Sequence, residues 1–315
     1  MAAVYISGFG VQYPAERVTN HDLAQVIDTT HEWIVERTGI EERRRVGEGE
    51  TTASLAAGAT RAALETVPWR PAELDLLICA TSSPDAHLPS VAAHTAQALT
   101  AEPVAFDVNA ACAGLAYGAA TARSMMLGMG YRRAALCCAD TYTRYIDYGD
   151  RRSAVLFGDS AATLLLQPER PERGAEIVDV YLENRSDVDL VRVPLGGTWQ
   201  MEGPKVKAPA LDMMLRCTER LLDRNGLSVH DLRAFIAHQA NYRMLEGLAE
   251  TLGVSEEQHW SNVQRFGNQG AAGAATVLCE GVAANLETLR DGDMILITVV
   301  GSGLTAGAVL LRWVA

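Results

Sequence analysis

The chain carries the same structural unit twice, and that repeat narrows the folds open to it. A helical pattern from Ala53 to about Thr66 leads through Pro71-Ala72-Glu73-Leu74-Asp75 into the apolar run Leu76-Leu77-Ile78-Cys79-Ala80. A second helical pattern, Leu211 to Asn225, leads through Val229-His230-Asp231-Leu232-Arg233 into Ala234-Phe235-Ile236-Ala237. Both read as helix, short loop, acidic turn and buried strand. Cys112 follows Ile78 by about 34 residues and Asn268 follows Ile236 by about 32, the matched interval of an internal repeat. The halves also end alike, with Phe157-Gly158-Asp159 and the run Ala161 to Leu166 parallel to the closing Gly307 to Arg312. Two similar α/β halves are expected, residues 1–168 and 169–315. Packed about a pseudo-dyad, they bring Cys112 and Asn268 to equivalent, facing helix starts.

Cys112 lies in Asp107-Val108-Asn109-Ala110-Ala111-Cys112-Ala113-Gly114. A β-type segment leads in and a small-residue helix, roughly Gly114 to Gly128, leads out. Amides and the dipole at a helix start favour a thiolate, so a lowered thiol pKa is expected. Taken alone, Cys112 reads equally well as a buried cysteine packed as a small apolar residue. Two later segments shift that balance. His238-Gln239-Ala240-Asn241 follows the strand-like Phe235-Ile236-Ala237, and Gly267-Asn268-Gln269-Gly270 opens another small-residue helix. A lone His after a strand is most often a hydrogen-bonded core residue, and a lone Asn beside Gly is most often a turn. Together, Cys, His and Asn supply a nucleophile, a proton carrier and an amide donor.

These motifs, in this order, resemble the β-ketoacyl-acyl-carrier-protein synthase III family of thiolase-superfamily condensing enzymes, over nearly the whole chain. The resemblance also rests on Asp28 to Ile40, on Asp150-Arg151 before Phe157-Gly158-Asp159, and on Gly301-Ser302-Gly303-Leu304-Thr305. It implies a thiolase-like, five-layer αβαβα fold and a homodimer. It implies that Cys112 takes an acyl group from an acyl-CoA, with the N–H groups of Cys112 and Ser302 as oxyanion donors. His238 and Asn268 then hold the enolate formed when a malonyl thioester loses CO₂, and the carbanion attacks the acyl-Cys112 carbonyl. Thr29, Trp33, Arg37, Arg151 and Asn241 match CoA-binding positions, with Trp33 and Arg151 sandwiching the adenine. Without that match, the lesser alternative for Trp33 is a half-buried interface tryptophan. Leu88, Phe157 and Val300 match acyl-pocket positions, Leu88 reaching into the partner subunit's pocket. No cofactor or metal is implied, since the CoA thioester is itself a substrate.

The helix after His238 departs from the family pattern. Where relatives carry a lysine pair for an acidic carrier protein, this chain has Glu250 and Thr251, with Glu246 a turn earlier. Only Arg243, Lys205 and Lys207 remain as basic docking candidates, which argues against tight carrier-protein use. Three readings stay open. The first is a condensing enzyme that primes fatty-acid synthesis. The second is a relative in a specialised pathway, using CoA or small-molecule acceptors. The third is a catalytically silent subunit that only binds acyl chains, which the intact Cys-His-Asn set disfavours.

Bulk properties agree. The 315 residues, 48% hydrophobic and 21% charged, suffice for a large core. A net charge of -12 argues against a nucleic-acid partner. No membrane-length apolar run or basic leader appears, and Met1 to Tyr13 reads as a first strand. The mixed run Glu41-Glu42-Arg43-Arg44-Arg45 reads as a solvated loop. The six cysteines form no CxxC pair, which points to neither zinc nor a disulfide framework and fits a reducing cytoplasm.

Overall fold

A computed structural model describes residues 3–315. The first half runs β1 (Tyr5–Gln12), β2 (Glu16–Thr19), α1 (Asn20–Leu23), α2 (His31–Thr38) and β3 (Glu42–Arg45). It continues with α3 (Thr52–Leu64), β4 (Leu76–Ala80), α4 (Val91–Ala98), β5 (Val104–Val108), α5 (Gly114–Met129), β6 (Ala134–Thr141), α6 (Arg151–Ala154) and β7 (Asp159–Gln167). The second half has β8 (Gly174–Asp187), the short β9 (Val191–Arg192) and β10 (Gln200–Met201), and α7 (Gly203–Asn225). It closes with β11 (Leu232–Ala237), α8 (Tyr242–Leu252), α9 (Val263–Phe266), α10 (Ala272–Asn285), β12 (Met294–Gly301) and β13 (Gly303–Val314).

Among the described residues, nine strands form one sheet in the order β11-β12-β13-β8-β1-β7-β6-β4-β5, while β2 with β3 and β9 with β10 form separate pairs. Each half builds the same pattern. β4 pairs parallel with β6, as β11 does with β12, and an antiparallel neighbour follows each, β7 and β13. β4 also pairs parallel with β5, and the matching place beside β11 holds a single parallel bridge, Phe235 to His259. The halves meet where β1 pairs antiparallel with β8 at Tyr5–Glu176 and Ile6–Ala175.

Strand alternation sorts the side chains into layers. In β4, Leu76, Ile78 and Ala80 face a central core with α5 and α10, while Leu77 and Cys79 face α3 and α4. In β11, Ala234 and Ile236 face that same centre, while Leu232, Phe235 and Ala237 face α7 and α8. The result is a five-layer αβαβα thiolase-type arrangement. It requires strands that are apolar on both faces, as Leu76–Ala80 is, and a central helix buried all round, as α10 is from Ala272 to Cys279. Small residues let the central helices close in: a Cβ on Gly114 would stand 2.9 Å from the Ala271 methyl.

One expectation is corrected. Glu42–Arg45 is a strand paired with β2, not a solvated loop, and Arg43 is only 2% exposed. Its guanidinium donates to Asn20 Oδ1 at 2.7 Å and to the Val155 carbonyl at 2.8 Å. Burial lowers its pKa to about 10. Alternation along the strand turns Arg43 inward while its neighbours stay partly exposed. A run of charges conceals that alternation in the sequence.

Candidate active site

The nucleophile turn is built by close backbone packing. After β5, Asn109 Oδ1 accepts the Ala111 N–H at 3.1 Å. Ala111 is held at φ 47°, a left-handed conformation that costs a residue with a Cβ about 1–3 kcal/mol. Residues Ala111–Ala113 then form one 3₁₀ turn, and α5 begins at Gly114. Thus Cys112 sits on a strained strand-to-helix elbow. The end of β12 lies directly over it: a Cβ on Gly301 would stand 2.7 Å from the Ala110 oxygen and 2.8 Å from the Cys112 nitrogen. Thr305 Oγ1 donates to the Ala110 carbonyl at 3.1 Å, and the Ser302 hydroxyl donates to the Val191 carbonyl. The glycine turn therefore clamps the cysteine turn.

The expected lowering of the Cys112 pKa does not hold in this structure. Burial pushes the thiol up to about 12, the nearby Asp140 charge adds to the rise, and the hydrogen bond from Tyr142 opposes it. The helix-start amides are present, but desolvation outweighs them.

His238 follows the last residue of β11 and is buried. Desolvation lowers it to about 4, so the imidazole is neutral at physiological pH. Its Nδ1 has no partner among the described residues. The adjoining Gln239 locks the turn, donating to the Ala237 carbonyl at 2.7 Å and accepting from Asn262 and Val263 N–H at 3.0 and 3.1 Å. Asn268 is held by its backbone, donating to the Leu156 carbonyl at 2.7 Å and accepting from Gly158 N–H at 3.0 Å. Its Oδ1 accepts the Gly270 N–H at 3.0 Å, which assigns the amide orientation and leaves Nδ2 as the donor end. Cys112, His238 and Asn268, from three distant segments, line one cavity of about 1170 Å³.

Trp33, Arg37, Asn241, Phe157, Val300 and Ser302 line the same cavity, and Lys205, Lys207 and Arg243 do so as well. Thr29, Arg151 and Leu88 do not line it. Arg151 borders a smaller adjacent cleft with Asp28 and Tyr148, the Thr29 hydroxyl is buried with no partner among the described residues, and Leu88 is 85% exposed. The Arg151 guanidinium lies 5.0 Å from the Trp33 ring centre and that of Arg37 lies 4.9 Å from it. A base between Trp33 and Arg151 therefore requires Arg151 to swing away. Asn241 caps α8, accepting Arg243 and Met244 N–H, and donates to the Arg37 carbonyl at 3.1 Å. Arg243 ties α8 to the carbonyls of Val35 and Glu36 and pairs with Glu246. Lys205 pairs with Glu202.

Four residues at the site went unread in the sequence. Tyr142, directly after β6, places its hydroxyl 3.6 Å from Cys112 Sγ. Trp199 stacks on Phe157 at 4.2 Å and meets Tyr142 edge-on at 4.7 Å, so three aromatic rings wall the pocket beside the sulfur. Behind Tyr142 stand Ser82 and the buried Asp140. Burial pushes Asp140 up to about 6 against the pull of its hydrogen-bond donors. The signal available was the polar Thr81-Ser82-Ser83 and Asp140-Thr141-Tyr142 at the ends of otherwise apolar strands.

Residues 106–186 match the family described as 3-oxoacyl-[acyl-carrier-protein] synthase III, and residues 222–313 match that family's C-terminal domain. The chain is 36% identical to β-ketoacyl-[acyl-carrier-protein] synthase III 3 of Streptomyces coelicolor, over 99% of this chain and 98% of that protein. It is also 36% identical to the β-ketoacyl-[acyl-carrier-protein] synthase III of Agrobacterium fabrum, over 98% of each. The crystal structure of 3-oxoacyl-[acyl-carrier-protein] synthase III from Aquifex aeolicus VF5 superposes with a TM-score of 0.92 at 34% identity, covering 98% of this chain and 99% of that one. With its fold, its motif order and its full-length similarity in agreement, the chain belongs to the β-ketoacyl-[acyl-carrier-protein] synthase III family of condensing acyltransferases.

Proposed function

We propose that Cys112 accepts an acyl group from an acyl-CoA and that His238 and Asn268 then drive decarboxylative condensation with a malonyl thioester. The observation that carries this reading is the meeting of Cys112, a neutral His238 and the donor end of Asn268 on one cavity. In the first half-reaction His238 takes the Cys112 proton, the thiolate adds to the thioester carbonyl, and the departing CoA sulfur takes that proton back. Cys112 and Ser302 N–H stabilise the oxyanion, each donor lowering the barrier by roughly 2.7–4 kcal/mol. In the second, malonyl C–C cleavage releases CO₂ and leaves an enolate oxygen that accepts from His238 Nε2 and Asn268 Nδ2. A neutral imidazole and an amide suit this step, since neither is acidic enough to quench the carbanion. The carbanion attacks the acyl carbonyl and Cys112 leaves as thiolate.

Arg37 and Lys207 line the cavity and suit the phosphates of a CoA or carrier-borne thioester. A carrier protein docks weakly, because Arg243 and Lys205 are already paired with Glu246 and Glu202. The chain works as a homodimer joined through β5, which is the last strand of its sheet and leaves Val104 47% exposed. The exposed Leu88 then reaches the partner's pocket. No resident cofactor is needed, and free thiols throughout suit a reducing cytoplasm.

The test is intact-protein mass spectrometry after mixing with acetyl-CoA, paired with CO₂ release from a malonyl thioester. Wild type gains one acetyl group, Cys112→Ala gains none, and Asn268→Ala acylates but releases CO₂ at least about 100-fold more slowly. Full acylation of Cys112→Ala, or normal CO₂ release from Asn268→Ala, contradicts the assignment.

A further inference from the structure

A chain of hydroxyl groups runs away from the nucleophile and has no place in the mechanism above. The Tyr142 hydroxyl is 3.6 Å from Cys112 Sγ and 2.6 Å from Ser82 Oγ. Ser82 Oγ lies 3.4 Å from Asp140 Oδ1, and the Ser82 N–H donates to that same oxygen at 2.9 Å. Asp140 Oδ1 also accepts from the Ser83 hydroxyl at 2.7 Å, and its Oδ2 accepts from Ala271 N–H at 2.8 Å. Tyr142 is buried and cannot swing aside. Phe157 and Trp199 meet its ring edge-on, at 5.6 and 4.7 Å, and a Cβ on Gly270 would stand 2.7 Å from it.

Such a chain has two consistent hydrogen arrangements. With a neutral thiol, the S–H donates to the Tyr142 oxygen, Tyr142 O–H to Ser82, and Ser82 O–H to Asp140. With a thiolate, Ser82 O–H turns to the Tyr142 oxygen and Tyr142 O–H turns to the sulfur. Only hydroxyl rotors move, and no proton leaves its oxygen. We propose that Tyr142 is a further catalytic residue, its hydroxyl donating to the Cys112 thiolate, with Ser82 as the positioning residue that lets it turn. The donor acts at the two moments when the sulfur is anionic: before it adds to the acyl thioester, and as it leaves in the condensation. Between them the acylated sulfur is a poor acceptor, and the Tyr142 O–H returns to Ser82. The need is real, because burial otherwise holds the thiol proton tightly. This inference rests on Cys112 as the acyl acceptor.

The experiment measures the rate of single-site alkylation by iodoacetamide from pH 7 to 9, counted as one adduct that Cys112→Ala lacks, together with the rate of acetylation by acetyl-CoA. Tyr142→Phe keeps the ring and its packing. Both rates should fall about tenfold at each pH, equivalent to a thiol pKa about one unit higher. Ser82→Ala should move both rates the same way by less, and it decides the question if Tyr142→Phe fails to fold. Rates within twofold of wild type in both variants would overturn the role of Tyr142 and leave Cys112 as nucleophile untouched. Acetylation that persists in Cys112→Ala would instead overturn the underlying reading.

Discussion

His238 has a measurable consequence for stability, with a definite sign. Its folded pKa of about 4 lies below the ordinary 6.5 because the buried imidazole resists charge. Above pH 6.5 folded and unfolded chains both hold it neutral. As pH falls from 6.5 to 4 the unfolded chain takes up a proton that the folded chain refuses, so stability is lost across that window, by about 3 kcal/mol at its end. Asp140 and Asp159, raised to about 6 by burial, act in the opposite direction. Comparing wild type with His238→Asn cancels those carboxylates. Urea unfolding at pH 7, 6, 5 and 4 should show the variant gaining on wild type as pH falls, and a pH-independent difference would contradict the buried neutral imidazole.

Among the elements, α8 shows how a site residue doubles as a structural one. Asn241 stands at its start, accepts two backbone N–H groups and joins the helix to α2 through the Arg37 carbonyl. Asn241→Ala should cost about 1–2 kcal/mol in denaturant unfolding, while Asn241→Asp, which keeps the capping oxygen, should cost less than half of that. An equal loss in both would show that the bond to Arg37 outweighs the cap. The elements themselves were largely legible. Apolar runs such as Leu76–Ala80, and the Ala/Gly-rich stretches that open α5 and α10, declare a fully buried strand and two helices whose first turns are deeply buried. The first two turns of α7 were not, because Gly203 to Ala210 includes two prolines and two lysines and carries little helical periodicity. Arg43 was missed for a related reason: its partners, Asn20 and Val155, come from other segments.

For the whole molecule, the buried Asp140 ties the halves together. One carboxylate oxygen gathers the Thr81-Ser82-Ser83 turn of the first half, and the other holds the start of α10 in the second. Asp140→Asn exchanges an acceptor oxygen for a donor amide among these donors and should destabilise the fold by about 2–4 kcal/mol. Hydrogen exchange should rise at residues 81–83 and 271–273 before it rises elsewhere. Uniform exchange in the variant would place the inter-half tie elsewhere. The amino-acid sequence by itself determined the paired α/β halves, the elbow that carries Cys112, and the order of Cys112, His238 and Asn268, because backbone burial and turn chemistry act over a few neighbouring residues. Tertiary structure alone decided that the Cys112 thiol is held neutral, that Arg151 rests on Trp33, and that Tyr142, Ser82 and Asp140 line up behind the sulfur. Those outcomes depend on desolvation and on contacts between segments tens of residues apart, which no local pattern encodes.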